Sequence, residues 1–433
     1  MGFGMLYIHK GRLMKKILSL FLVSFLSITP TIFATTQIIF SGSADDLNAT
    51  TTEYNPLHGA AAAWNGTSSR NLQRVASSGS FKNLRVVLTA APGTGKSHTF
   101  TVMEITGGAT ALACTVSEAA TTCQDSDTIT VTAGEEYNLR STHSGTPDVS
   151  DAWWSVEFDS TTANESMFMG NSAAGFFTTG YNTLHGAHTV DGTRTDTETV
   201  LTTAGTIKNL NCSLDSDPGV GNTDTCTVME NGSDTALTCT IIGGATSNCT
   251  DVVNSFTSVA GDKIVLKVVH SAGSASDEIE SSVTFLSDTA GDFNVSFSSD
   301  DDPANAATEY NYFSTGTAGW TATETTKLNL GQEGSATDVT LKALYVDLET
   351  APGAGNSYAL TVYQDSSPTA LSCTVSGTDT TCSDTATIAV ANDDLFSIEE
   401  VPTSTPTASN IRYGVLVSSA TIGGAARRII IVQ

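Results

Sequence analysis

Hydrophobic positions along this chain recur mostly at every second residue. Leu84, Val86 and Leu88 alternate with neighbours able to face water, and Phe100 and Val102 keep the same period. The alternation returns at Leu112-Cys114-Val116, Ile129-Val131, Tyr137-Leu139 and Trp154-Val156-Phe158. A period of two puts successive side chains on opposite faces of an extended backbone, so these runs predict short, half-buried β-strands. Between them fall Pro92-Gly93, Gly107-Gly108, Ala133-Gly134 and Gly145-Thr146-Pro147, the composition of tight turns. Thr and Ser crowd the strands, and no amphipathic helical period of useful length is present. The acidic corners Gly134-Glu135, Gly261-Asp262 and Asn392-Asp393 fit hairpin connections.

The pattern occurs three times. Phe81-Lys82-Asn83-Leu84, Ala91-Pro92-Gly93-Thr94-Gly95 and Thr101-Val102-Met103 return as Ile207-Lys208-Asn209-Leu210, Asp217-Pro218-Gly219-Val220-Gly221 and Thr227-Val228-Met229. The third copy reads Leu341-Lys342-Ala343-Leu344, Ala351-Pro352-Gly353-Ala354-Gly355 and Thr361-Val362-Tyr363. The upstream tyrosines Tyr54, Tyr181 and Tyr310 are 127 and 129 residues apart. That period is too long for a solenoid unit and suits an independent domain. Each copy carries roughly eight or nine strands, the signature of an antiparallel sandwich or jelly roll. The expected fold is therefore all-β: three tandem antiparallel β-sandwich domains, over residues 35–160, 161–290 and 291–420. Short joints, at 160–166 and 287–292, point to a semi-rigid rod.

The N-terminus has the order of a secretory signal peptide, expected over residues 1–34 with Met14 as a candidate true start. Lys15 and Lys16 precede the apolar run from Ile17 to Leu26, followed by Thr29-Pro30 and the small residue Ala34. The apolar run is too short for a permanent membrane span. Secretion to the cell surface or beyond also fits the cysteines. All eight follow the signal, and three pairs, Cys114/Cys123, Cys239/Cys249 and Cys373/Cys382, lie nine or ten residues apart in matching contexts. Each of these pairs is expected to bond locally across a strand–turn–strand segment. Cys212 and Cys226 align with Val86 and Phe100, on the strands flanking the Pro-Gly turn, and are expected to bond across a hairpin. The spacing lacks paired zinc knuckles.

The composition narrows the partners. The 433 residues include 45 acidic and 19 basic side chains, a formal charge of −26. Removal of the signal takes away four basic residues and no acidic ones, which lowers the charge from −26 to −30. No basic patch can form to neutralise phosphates, so nucleic acid is excluded as a partner. The 39% hydrophobic content is enough for packed cores and excludes a disordered acidic tail.

Candidate chemistry is sparse. Ala90-Ala91-Pro92-Gly93-Thr94-Gly95-Lys96-Ser97 resembles a phosphate-binding loop but lacks its first Gly, is followed by an alternating strand, and has Asn222-Thr223 and Asn356-Ser357 in place of Lys96-Ser97. His58 and His185 occupy matching positions, with Ser314 in the third copy, and His143 matches His270. Residues inherited by duplication explain these better than a metal site. Asp45-Asp46 and Asp300-Asp301-Asp302 leave Ca²⁺ as the one conceivable cofactor, without EF-hand spacing. Tyr54 and Trp64, like Tyr310 and Trp320, are ten residues apart and form candidate glycan contacts, with core packing as the plainer alternative. No nucleophile, base or carboxylate pair stands out, and no enzyme activity is expected.

The chain ends on an opening-strand pattern without the rest of a fourth copy, over residues 421–433. Ile429, Ile430, Ile431 and Val432 could add to a sheet edge of another copy and propagate a head-to-tail polymer. The expectation is an exported structural protein, the subunit of a filament, surface appendage or matrix. The alternative is an adhesin holding surface glycans through its loops.

Overall fold

The computed structural model describes residues 34–60, 63–172, 178–274, 278–299, 301–331 and 339–419. The first repeat comprises β1 (Ala34–Ser43), β2 (Glu53–Asn55), β3 (Gly59–Ala60), β4 (Gln73–Arg74), β5 (Gly79–Leu88), β6 (Gly93–Glu104), β7 (Gly108–Glu118), β8 (Thr122–Val131), β9 (Glu136–Ser144) and β10 (Ala152–Ala163). One sheet has the order β3-β1-β10-β5-β8, and the other runs β2-β9-β6-β7 with β4 also on β9. All pairings are antiparallel except β1 with β3. Consecutive strands switch sheets repeatedly, as in a jelly roll. The same two sheet orders recur over Glu165–Ser287 and Asp292–Ser419. In the third repeat the counterpart of β8 is broken into Thr381–Asp384 and Ile388–Val390. The all-β reading holds, and β10 runs past the expected joint at 160 to Ala163.

The turns follow from glycine. In the repeated Pro-Gly-x-Gly segment both glycines take left-handed backbone in every copy: Gly93 and Gly95, Gly219 and Gly221, Gly353 and Gly355. A side chain there would clash with its own backbone, which is why the segment reads the same three times. This turn leads into β6, so the loop that resembles a phosphate cradle is a strand entrance, and Lys96 is paired with Asp148 at 2.6 Å.

The cysteines bond as the spacing predicts: Cys114 to Cys123, Cys212 to Cys226, Cys239 to Cys249 and Cys373 to Cys382. Three of these bonds cross a strand–turn–strand segment as expected, and in each copy that segment passes from one sheet to the other. Cys114 is on β7 and Cys123 on β8, which follow each other in the chain but belong to opposite sheets, so the bond ties the two layers at the sandwich edge. Cys239 on Ser233–Ile242 and Cys249 on Asn248–Ser258 repeat this in the second copy. Cys373 on Ser367–Gly377 and Cys382 on Thr381–Asp384 repeat it in the third. Cys123, Cys249 and Cys382 stand on strands with no outer neighbour and are half-buried there. Cys212 and Cys226 are likewise on facing sheets and not on a hairpin, because the chain crosses between layers at the Pro-Gly turn. Closing loops this short stabilises by roughly 2–3 kcal/mol each in the chain-entropy account.

The rod expectation gives way. The described residues from Ala34 to Ser419 form one compact unit, and each repeat touches both others. The opening strands explain how. Alternate residues Ile39, Phe168 and Val295 enter the core of their own sandwich. Their neighbours point the other way: Ile38 and Phe40 join the core of repeat 3, and Met167 and Met169 that of repeat 1. From repeat 3, Asn294 accepts the Thr202 N–H at 2.8 Å and Ser296 donates to the Val200 carbonyl at 3.2 Å, both in repeat 2. The sheet bearing each opening strand is thus covered on both faces, and Glu165–Ser172, Asp292–Ser298 and Ile411–Ser419 are buried at every position. Three sandwiches close a cyclic, threefold-like ring within one chain.

The ring has two different poles. β1 starts beside the end of β10, at Ala34 opposite Ala163. Ser287 N–H bonds Asn164 O at 3.0 Å, and Ser419 N–H bonds Gly291 O at 2.9 Å. The chain therefore enters, crosses twice between repeats and leaves at one pole. At the other pole lie the loops that follow Ser43, Leu88 and Ser144 and their counterparts.

Candidate functional site

Short strands from the three repeats meet on the ring axis. β3 and its counterparts, Gly186–Ala187 and Thr315–Thr317, lie side by side there. A Cβ on Gly59 would come within 2.6 Å of the Gly186 Cα, and Gly59 has a φ of +99°, so this approach requires glycine. The preceding residues, His58, His185 and Ser314, project into the centre and are fully buried. The two imidazole centroids are 4.0 Å apart, edge to face. The Ser314 hydroxyl lies 3.1 Å from His185 Nε2 and 3.5 Å from His58 Nε2. Gln73 fixes His58 by accepting its N–H at 2.7 Å and donating to its carbonyl at 2.8 Å. Asn329 does the same for Ser314, at 2.9 and 3.1 Å.

This centre is built to stay uncharged. Burial pushes the His58 imidazolium down to about 3, and burial together with the neighbouring His58 holds His185 well below the usual histidine range. Desolvation disfavours the charged form, and two adjacent cations would repel. A base this weak and this enclosed does not suit acid–base catalysis near neutrality. Among the described residues no group of three His, Cys, Asp or Glu side chains is placed to hold a metal ion.

Off the axis, each repeat docks on the next through equivalent positions that carry different residues. The strand registers match Trp153, Glu280 and Arg412, each following the first residue of its strand. At the joint of repeat 3 with repeat 1, Trp153 packs in an apolar cluster with Leu328 and Leu330. At the joint of repeat 2 with repeat 3, Arg412 forms an ion pair with Asp347, lies 3.8 Å from Glu198, and donates to the Thr195 carbonyl at 3.1 Å. At the joint of repeat 1 with repeat 2, Glu280 stands beside a groove of about 460 Å³, walled by Leu72, Ile105 and Leu214. Arg74 lines this groove and bonds Glu136 at 2.6 Å.

The residues expected to meet a glycan do not form a platform. Trp64 and Trp320 are 6% and 8% exposed. Trp64 packs 5.4 Å from Trp154 and 6.2 Å from Phe100, and Trp320 packs on Phe297 at 6.2 Å. Both indoles complete sandwich cores, so their stacking faces are occupied. Tyr54 and Tyr310 are half-buried, and the Tyr310 hydroxyl donates to Glu399 at 3.0 Å. The ten-residue spacing has a backbone cause: Tyr54 pairs with Asn65, Tyr181 with Asp191 and Tyr310 with Thr321 in isolated bridges. The acidic turns serve local geometry too. Asp45 accepts the Trp64 N–H at 2.9 Å, and Asp301 N–H donates to Ser299 Oγ at 3.1 Å. Asp300 and the segment Ile429 to Val432 lie outside the described residues.

No protein-family model matches the chain, and no curated protein matches it. Matching the repeats in sequence singles out His58 and His185 but passes over the joints. Their signal lies in the same alignment: Trp153, Glu280 and Arg412 differ in chemical kind at one position, next to the uniformly apolar Ala152, Ile279 and Ile411.

Proposed function

We propose that the chain is an exported structural protein of an extracellular surface appendage or matrix, with the three-sandwich ring as a head carried from one pole. The observation behind this reading is that the described chain enters at Ala34 and leaves at Ser419 on the same side. A link inside a linear filament passes load through its body from one end to the other. A body whose two attachments share a pole bears no such load and suits a terminal or lateral position. The four disulfides support an oxidising environment, where such bonds persist. Among the described residues no helix is long and apolar enough to cross a membrane.

The second reading is an adhesin. It rests on the opposite pole, where loops of all three repeats gather; loops on a rigid scaffold commonly carry binding residues. Immunogold microscopy of intact producing cells tests the structural reading. Label at surface appendages or in the matrix is the expected outcome, and label confined to the cell interior would overturn it. A glycan array with the non-reduced chain separates the adhesin: specific binding that survives Trp64→Phe would move the function to the loops.

A further inference from the structure

The three joints are internal controls for one another. At two of them a long side chain fills the space beside the docked repeat: Arg412 reaches Thr195 and Glu198, and Trp153 reaches Leu328 and Leu330. Their counterparts in repeat 1 are Ser69, Leu72 and Arg74, and these line the open groove. The groove is therefore the position of the Arg412 and Trp153 side chains, left open where the chain has the shorter Glu280.

Its lining is charged in one direction. Glu104, Glu135, Glu136, Asp215 and Glu280 face it, against the single guanidinium of Arg74. Glu280 is 4% exposed, and among the described residues no hydrogen bond or ion pair reaches its carboxylate. The Nε of Arg74 is also buried without a partner, while its Nη1 is engaged by Glu136. A buried carboxylate with no ion-pair partner is costly, unless something positive binds it or it takes up a proton. Burial, with Glu136, Glu278 and Asp215 nearby, holds the Glu280 carboxyl well above the usual range, Arg74 opposing.

We propose that the groove between repeats 1 and 2 receives a basic side chain of a peptide partner, a guanidinium on an aliphatic stem. The stem would lie along Leu72, Ile105 and Leu214, and the guanidinium would reach Glu280 and Asp215. The volume falls in the range of small-ligand sites. The chain itself places a guanidinium in the matching space of the next joint, where Arg412 pairs with Asp347; in the groove Ser213 stands at the position of Asp347, and Glu280 at that of Arg412 supplies the carboxylate. Guanidinium is favoured over a compact ammonium because its planar fork binds carboxylates two-pronged. This site is independent of where the protein is mounted.

The test is isothermal titration calorimetry on the full non-reduced chain with the peptide Gly-Gly-Arg-Gly-Gly. The expected result is one saturable site, with at least tenfold weaker binding when citrulline replaces arginine. Glu280→Gln is expected to weaken binding at least tenfold and not to lower the thermal midpoint, because no bonded partner is lost. Glu280→Arg, which copies the filled joint, is expected to abolish binding. Diffuse attraction to the acidic surface would leave Glu280→Gln unchanged. Equal affinity of wild type and Glu280→Gln, equal binding of the citrulline peptide, or saturation by Ca²⁺ alone would overturn the proposal.

Discussion

Two joints of the ring solve one packing problem with opposite chemistry. Where repeat 3 meets repeat 1, Trp153 lies against Leu328 and Leu330, and its strand neighbour is Val87. Where repeat 2 meets repeat 3, the same position holds Arg412, its strand neighbour is Asp347, and Glu198 stands in place of Leu328. The first joint gains from removing apolar area from water. The second takes three charges out of water and recovers the cost through their mutual attraction, the bond to Thr195, and the partly exposed Lys263 and Arg194 beside the two carboxylates. Three like joints would fit one another in any order and would let repeats of different molecules exchange. Unlike joints penalise each wrong pairing, since Arg412 against Leu328 and Leu330 would keep Asp347 of its own repeat but lose Glu198 and the Thr195 carbonyl. Duplication made the repeats alike, and the joints are where they had to become different.

The comparison breaks hardest at Arg412. Arg412→Ala strips the one fully buried cation from Asp347 and Glu198 and leaves them only the partly exposed Lys263 and Arg194, and a loss of about 3 kcal/mol is expected by urea denaturation. Trp153→Ala should cost a similar amount, about 3–5 kcal/mol, by opening a cavity. The two differ in rescue. Replacing the polar set by the apolar one, Arg412→Trp with Asp347→Val and Glu198→Leu, should recover most of the loss, because the buried charges leave together and the freed Lys263 and Arg194 are exposed enough to be hydrated. A triple variant no more stable than Arg412→Ala would show that the joint depends on this ion pair for more than charge balance.

The axis, shared by all three joints, responds to acid. The folded pKa of His58 is lowered to about 3, so its contribution is fully present above pH 6.5 and is lost as pH falls below that toward 3. At pH 4.5 the loss from His58 is on the order of 2–3 kcal/mol. His185, held low for the same reason, adds to it, and so does His98, lowered to about 4 by burial and by His143. Glu400 runs the other way. Its folded pKa is raised to about 9, by burial and then by Glu309 and Glu399, so its contribution is full below pH 4.5 and fades as pH rises. The clean readout is therefore a difference: His58→Ser, which copies repeat 3, should flatten the stability curve between pH 6.5 and 4.5. An unchanged slope would mean that the axis opens without protonation.

How much of this is legible in the sequence depends on range. Strands, turns and disulfide partners are legible because each is decided within about fifteen residues, by alternation, by left-handed glycines or by loop length. Even there, the spacing of Cys239 and Cys249 or of Cys373 and Cys382 names the partner without saying that the bond crosses between sheets. The ring is not legible. Phe40 and Met169 are apolar residues of opening strands, and nothing in a period of two says whose core they enter. Short linkers suggest a rod because linker length limits reach without fixing direction. Trp64 and Trp320 are ambiguous for a related reason: an indole serves a core or a sugar equally well, and only its neighbours decide. The groove at Glu280 is a property of a joint between repeats, and its sole trace in the sequence is a mismatch among aligned copies.

The smallest expected effect sharpens the contrast most. Arg85 of repeat 1 also crosses a joint to a carboxylate, with both its Nε and Nη2 at 2.6 Å from Asp393 of repeat 3. In geometry this pair is the better one, a two-pronged fork. It differs from Arg412 in burial: the Asp393 side chain is 41% exposed, whereas the Asp347 side chain is 8% exposed. Water screens an exposed pair, and when Arg85 is removed the freed Asp393 is simply hydrated. Arg85→Ala should therefore cost no more than about 1 kcal/mol, and the gap from wild type should narrow further in high salt. Denaturation at low and high ionic strength checks both. A loss as large as that of Arg412→Ala would mean that geometry sets the strength of these joints, and a loss confined to low salt that desolvation does.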